Sequence, residues 1–194
     1  MALKGQYTTA DYMDWNEAMN LIRKLYRDGR YRDSMLIATG CFTLLRVSDI
    51  RKLTYSDILD HDILTVIEQK TGKRREIALN PDYKKLVEDC YLKLGVRSID
   101  KHIFTNMMGG VICVQRINDI LKEVKAKYNL HIQHFSSHSL RKTGARRIYD
   151  MSNDREYALI KLSQVLNHSN CSITRRYLGI KREEILDCYS MLSF

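Results

Sequence analysis

Apolar residues along the chain change period twice, separating a helical first part, a short extended segment and a helical remainder. Trp15, Ala18, Met19, Ile22 and Tyr26 recur at three- and four-residue steps, so one face of a first helix is buried. Thr8 followed by Asp11 predicts a capping box at its start, and Gly29 predicts its end. A second helix is expected from Asp33 to Leu45. Its segment MLIATGCFTLL is apolar nearly all round, which marks it as the central core helix. Arg46 follows at its end, and Ser48 is placed to cap a short helix over SDIRKL.

The period then shortens. ILTVIEQK alternates weakly, is rich in β-branched residues and ends at Thr71-Gly72-Lys73, after which RREIAL runs back. This predicts a β-hairpin with Gly72 in the turn. Asn80-Pro81 supplies a cap and a first-turn proline for a helix running to Leu94 and stopping at Gly95. A third short strand is expected at His102-Ile103-Phe104, and a turn from Asn106 to Gly110. Val114, Ile117, Leu121, Val124 and Tyr128 then return to helical spacing. Further on, Leu140, Ala145 and Ile148 share one helical face, and Leu159, Leu162 and Leu166 another. Turns fall at Ser152-Asn153-Asp154 and from Asn167 to Ser172. A last helix, Glu183 to Met191, buries Ile185, Leu186 and Tyr189 or offers them to a partner. The expected fold class is mainly α with a small antiparallel β-sheet (α+β), in one compact domain with no linker-like segment.

Composition narrows this picture only slightly. A chain of 194 residues with 44% apolar and 28% charged residues is that of an ordinary globular protein with a sizeable core. Its net charge of +9 favours a polyanion such as nucleic acid, or an anionic membrane surface. Five cysteines, none spaced as CxxC, argue for a reducing compartment and against a disulfide framework or cysteine zinc cage. The absence of an apolar signal core or spanning stretch leads to the expectation of a cytoplasmic protein.

Candidate chemistry lies in separated places. His138 and Arg141 fall at i and i+3 in the first turn or so of a helix, with Ser137 available as cap. Both therefore project to one side, beside backbone N–H groups suited to a phosphate. Taken singly they read as a surface histidine and a solvated arginine. His168 equally reads as closing a turn, and Tyr177 as packing, although a tyrosine among Arg175 and Arg176 is placed to have its phenolate stabilised. Arg46 alone is an ordinary cation at a helix C-terminus, and Lys70 and Lys73 are ordinary turn residues. His131, His134 and His138 have loosely metal-like spacing, but no carboxylate or cysteine lies nearby to complete a zinc set.

Order and context change the weighing. LLRVSDIRKL, EQKTGKRREIAL, HSLRKTGA and VLNHSNCSITRRYLGI, in that order, resemble the catalytic domain of the phage-integrase family, the tyrosine recombinases. The resemblance runs from Thr8 to the end of the chain. It implies that Arg46 is the first catalytic arginine, Lys70 the catalytic lysine (Lys73 if the hairpin register differs), and His138 and Arg141 the HxxR pair. His168 then matches the second histidine and Tyr177 the nucleophile, with Asp49 as a supporting acid. Two departures stand out. Leu44-Leu45 replaces the glycine usual before the first arginine, and Asn167 replaces the glycine of Gly-His-Ser.

The implied activity is site-specific cleavage and rejoining of double-stranded DNA through a covalent 3′-phosphotyrosine, with no metal and no cofactor. The implied assembly is a homo-oligomer, a tetramer on DNA and a monomer when free. An N-terminal core-binding domain is expected to be absent, as in a short recombinase or an excised catalytic domain. Type IB topoisomerase-like relaxation and a non-catalytic DNA-binding regulator of the same fold are the alternatives.

Overall fold

The computed structural model describes residues 11–180, 186, 188–190 and 192. Among these, the chain folds as two compact units, a larger one up to Gly144 and a smaller one from Ala145 onward. The larger unit begins with α1 (Trp15–Arg27), whose cap is Asp14. Its Oδ1 accepts the N–H groups of Asn16 and Glu17 at 2.8 and 3.2 Å. The cap therefore lies beyond the predicted Thr8–Asp11 box, and Thr8 is outside the described residues. Gly29 closes the helix at φ +73°.

The next helix, α2 (Tyr31–Thr43), starts two residues before the predicted Asp33, which sits in its first turn paired with Arg30 at 2.6 Å. Almost every side chain from Ser34 to Cys41 is buried, as its apolar circumference requires. It stops at Thr43 because Leu44 turns to φ +53°. A leucine in that left-handed region costs about 1–2 kcal/mol. Leu44 is buried, and burial of a leucine side chain contributes about 2–5 kcal/mol by truncation. Packing outweighs backbone strain, so a leucine is held in a conformation that ordinarily favours glycine.

Arg46, extended, sits at the N-cap of α3 (Val47–Ile50) without a capping side-chain bond; Ser48 is inside the helix rather than at its cap. A complete Thr54/Asp57 capping box opens α4 (Tyr55–Leu59). The predicted hairpin forms as β1 (Ile63–Ile67) and β2 (Arg74–Ala78), antiparallel, with Thr65 opposite Glu76 and Gly72 at φ +66° in the turn. A two-stranded sheet is marginal alone. This one anchors Leu64 in the core, with Val66 and Ile77 packed against it. The expected third strand is only a bridge between His102 and Thr54, because the chain meets the segment after α3 for a single pair. The Asn106–Gly110 turn is closed by a Thr105–Val111 bridge.

α5 (Pro81–Lys93) has the predicted Asn80 cap and ends before Gly95 at φ +61°. α6 (Val114–Tyr128) buries Ile117, Leu121 and Val124. α7 (Ser137–Asp150) opens on Ser137 itself, whose N–H donates to Asn118 Oδ1 at 3.2 Å.

Two glycines set how closely α7 approaches α2. A Cβ on Gly40 would lie 2.6 Å from Leu140 Cβ, and one on Gly144 would lie 2.0 Å from the Cys41 carbonyl oxygen. Backbone-to-backbone contact of this kind leaves no room for a methyl group. Through it, the helix bearing His138 and Arg141 is registered against the helix that ends just before Arg46.

In the smaller unit, α8 (Arg155–Val165) packs on α9 (Cys171–Leu178). Leu159, Leu162 and Leu166 are buried as predicted, whereas Ile148 is 46% exposed despite its shared face with Leu140 and Ala145. Asp154 caps α8 and Asn170 caps α9, each through its side-chain oxygen. Of the predicted last helix, 186 and 188–190 are helical, with Leu186 and Tyr189 exposed; Ile185 lies outside the described residues.

Candidate active site

Within the larger unit, four of the predicted residues converge. His138 is held below its ordinary pKa, first by desolvation and then by the positive charges of Arg141, Arg46 and Lys70. The ring keeps a solvent-exposed side, so crowding and three nearby cations act together and neither alone defines the site. Their combined effect favours neutral imidazole near pH 7, the form able to accept a proton or a hydrogen bond. Arg141 is almost wholly buried, and the next residue, Lys142, lies over the Tyr12 ring at 5.4 Å.

The first arginine is held from below. Arg46 Nη1 donates to Glu68 Oε2 at 2.7 Å, and the Glu68 side chain is completely buried. Arg75 Nη1 approaches the other carboxylate oxygen at 3.5 Å, an ion pair longer than a hydrogen bond of good geometry. Arg75 also donates to the carbonyls of Thr43 and Leu44 at 2.8 and 3.1 Å, closing the end of α2. Burial pulls the Arg75 pKa down, while Glu68 and Asp49 oppose that shift. Two arginines and two carboxylates thus neutralise each other in a poorly solvated region, the condition under which buried charge is tolerated.

Asp49 acts on the hairpin rather than on Arg46: its Oδ1 accepts the Gln69 N–H at 2.9 Å. Lys70 and Lys73 are both exposed at the turn, and of the two, Lys70 is the one whose charge acts on His138. Glu68 and Arg75 escaped sequence reasoning. In EQKTGKRRE they look like two more charges on a solvated hairpin; only a period-two reading inward from Leu64 and Val66 would have pointed Glu68 toward the core.

The smaller unit assembles the other two residues. His168 and Tyr177 meet edge to face with ring centroids 5.4 Å apart. His168 follows Asn167, which takes φ +57°, the left-handed conformation its side chain tolerates. Its N–H donates to the Ser163 carbonyl at 2.9 Å, and its Nδ1 shares a 2.9 Å hydrogen bond with the buried Thr174 hydroxyl. That bond fixes the orientation of the ring. Thr174 is a second residue that the sequence did not single out, since a threonine in a basic helix carries no distinguishing pattern.

Tyr177 is half-buried in the last turn of α9, before Gly179 at φ +79°. Arg175 and Arg176 share that last turn. Arg175 is itself anchored to Glu156, at 2.6 Å to Oε2. No helix among the described residues is long and apolar enough to cross a membrane.

Comparison with known proteins places this geometry in context. The chain is 28% identical over 177 residues to the probable integrase/recombinase YoeC of Bacillus subtilis (strain 168), covering 90% of this chain and 92% of that protein. It is 30% identical over 178 residues to the tyrosine recombinase XerC of Caldanaerobacter subterraneus subsp. tengcongensis, covering 90% of this chain and 48% of that one. The chain thus spans nearly all of YoeC but about half the length of this XerC. Among solved structures, the XerH site-specific recombinase bound to palindromic difH substrate superposes with a TM-score of 0.69 at 18% identity, over 98% of this chain and 57% of that one. That likeness carries the fold: mostly helical, with one small antiparallel hairpin. The phage integrase family model matches residues 11–184, and the chain belongs to that family.

Proposed function

We propose that the chain is the catalytic part of a tyrosine-type, site-specific DNA recombinase, acting on double-stranded DNA as a homo-oligomer, a tetramer when assembled. Tyr177 Oη attacks the scissile phosphorus. The P–O5′ bond breaks, a 3′-phosphotyrosine forms, and the free 5′-hydroxyl of another strand later reverses the step on a new partner. Bond energy is conserved through the covalent intermediate, so the chemistry calls for no cofactor and no metal. Arg46 and Arg141 hold the non-bridging oxygens, for which the planar guanidinium fork is suited. Lys70 protonates the leaving 5′-oxygen. Neutral His138 accepts the tyrosine proton or holds the phosphate, and His168 hydrogen-bonds a non-bridging oxygen through Nε2. In this reading the protein works on DNA in the cytoplasm of a bacterial host.

The observation that carries the reading is the convergence on His138 of three cations drawn from separate parts of the sequence, Arg46, Lys70 and Arg141. A purely structural histidine has no need of them. Homologues named as recombinases and the DNA-bound XerH fold support the same conclusion. The test is incubation with nicked half-site duplexes carrying candidate target sequences, followed by denaturing electrophoresis. The expected result is a slow-migrating DNA band removed by protease. Binding without any such adduct on every duplex would refute the assignment.

A further inference from the structure

Glu68 is wholly buried at the end of β1, and the chemistry above gives it no part. Its contacts lead to two places. Through Oε2 it accepts from Arg46 Nη1 at 2.7 Å and from the Thr71 hydroxyl at 2.9 Å. Its carbonyl accepts the Gly72 N–H at 2.8 Å, and its own N–H donates to the Lys73 carbonyl at 3.0 Å. One carboxylate oxygen thus ties the arginine to the residue directly after Lys70, while the backbone of the same residue closes the turn around that lysine. On the far side, Arg75 at 3.5 Å is itself fastened to the end of α2.

We infer that Glu68 is a positioning residue: it locks the Arg46 guanidinium to the turn carrying Lys70, so that the two cations meet one phosphate in a fixed mutual geometry. The inference rests on the recombinase reading. A buried ion pair is weak evidence for stability, since desolvation largely offsets its attraction. The geometry here has a more specific consequence. A guanidinium offers five donors, and a bond to one of them orients the plane that the others share. A flexible, exposed lysine at a hairpin turn gains nothing from a distant carboxylate unless the turn itself is held, which Thr71, Gly72 and Lys73 accomplish through Glu68.

Glu68→Gln keeps the side-chain shape and one acceptor oxygen but removes the charge. Single-turnover adduct formation at saturating DNA is expected to slow by about 10- to 100-fold, the scale of a small misplacement of reacting groups. Half-saturating DNA concentration should stay within about threefold, because the residue does not touch DNA. Combined with Arg46→Lys, Glu68→Gln should add no more than about threefold to the loss seen with Arg46→Lys alone, since both changes break one coupled unit. Thr71→Ala, in an exposed turn, should slow the step to a lesser degree without altering the melting temperature, and it decides the matter if Glu68→Gln fails to fold.

A second readout requires no catalysis. In ¹⁵N spectra of the guanidinium groups, Arg46 should show restrained Nη signals that Glu68→Gln releases. Wild-type rates in both the Glu68 and Thr71 variants, or losses that multiply in the double variant, would overturn the inference. Wild-type protein that forms no adduct would remove the recombinase reading and this inference together. A wild-type adduct with unaffected Glu68→Gln would remove the inference alone.

Discussion

The cation cluster of the larger unit and the His168–Tyr177 pair of the smaller one are built in different ways. Arg46, Arg75, Glu68 and Asp49 form a charge-balanced group in which the carboxylates are almost completely buried, and α7 delivers His138 and Arg141 against a helix approached at backbone distance. Tyr177, by contrast, stands in the last turn of an eight-residue helix, half-buried, beside a histidine oriented by one threonine hydroxyl. On the proposed function, the first serves as a preorganised electrostatic clamp, whose usefulness depends on not relaxing when charge develops. On the same proposal, the second carries the nucleophile, which has to reach a phosphorus atom and later leave. On that reading, the buried, charge-balanced packing surrounds the residues that meet transition-state charge, and the attacking group is carried on the shorter helix.

The widest separation between the two regions should come from Tyr177→Phe. Covalent DNA trapping on nicked half-sites should fall to background while DNA binding, read by mobility shift, stays close to wild type. Retained trapping would move the nucleophile elsewhere. Arg46→Lys probes the clamp instead. It keeps a positive charge opposite Glu68 but loses the planar fork, and the adduct-forming rate should drop by about 10²- to 10³-fold, as for loss of an oxyanion donor. Its melting temperature should change little. A large thermal shift with normal chemistry would make Arg46 a structural residue.

Gly144→Ala tests whether the clamp depends on the α2–α7 approach. A methyl group 2.0 Å from the Cys41 carbonyl oxygen must push the helices apart, and overpacking of this kind costs about 1–3 kcal/mol or somewhat more. Denaturant unfolding should show that loss, together with a reduced rate as Arg141 moves relative to Arg46. An unchanged midpoint would mean that the two helices are not registered by this contact.

The smallest effect is in the pH dependence. His138 in the folded protein lies below its ordinary pKa, which for an unfolded histidine is about 6.5. Between the folded value and 6.5 the unfolded chain therefore binds more protons. Stability from this group is fully present above about 6.5 and is lost as pH falls from there through the folded pKa. The His138 imidazole signals in NMR should titrate below pH 6.5, and Lys70→Met should move them upward. Titration at or above the ordinary value would remove the cationic environment on which the active-site reading rests.

Much of the fold was legible because local rules act over a few residues. The cap at Asn80, the left-handed stops at Gly29 and Gly95, the Gly72 turn and the helical periodicity of 114–128 involve only neighbours in sequence. Misplacements came where tertiary packing overrode them. Leu44 accepts a left-handed backbone in exchange for burial, and α2 ends there instead of at Leu45. His102–Phe104 has strand-like residues but finds a partner for a single bridge.

For the candidate site, the sequence motifs propose the groups and their order, Arg46, Lys70, His138 with Arg141, then His168 and Tyr177, and the roles assigned to them belong to the proposed function. The groups that stand behind them emerge only when the chain is folded. Glu68 and Arg75 look like hairpin surface charges along the sequence; Glu68 proves to be fully buried and paired with Arg46, Arg75 is largely covered beside it, and Thr174 turns out to orient His168. The physical reason is that a motif records the chemistry a residue type can perform. The pKa and orientation with which it performs that chemistry come from burial and from partners outside the motif's own pattern, such as Glu68 beneath Arg46, 22 positions on.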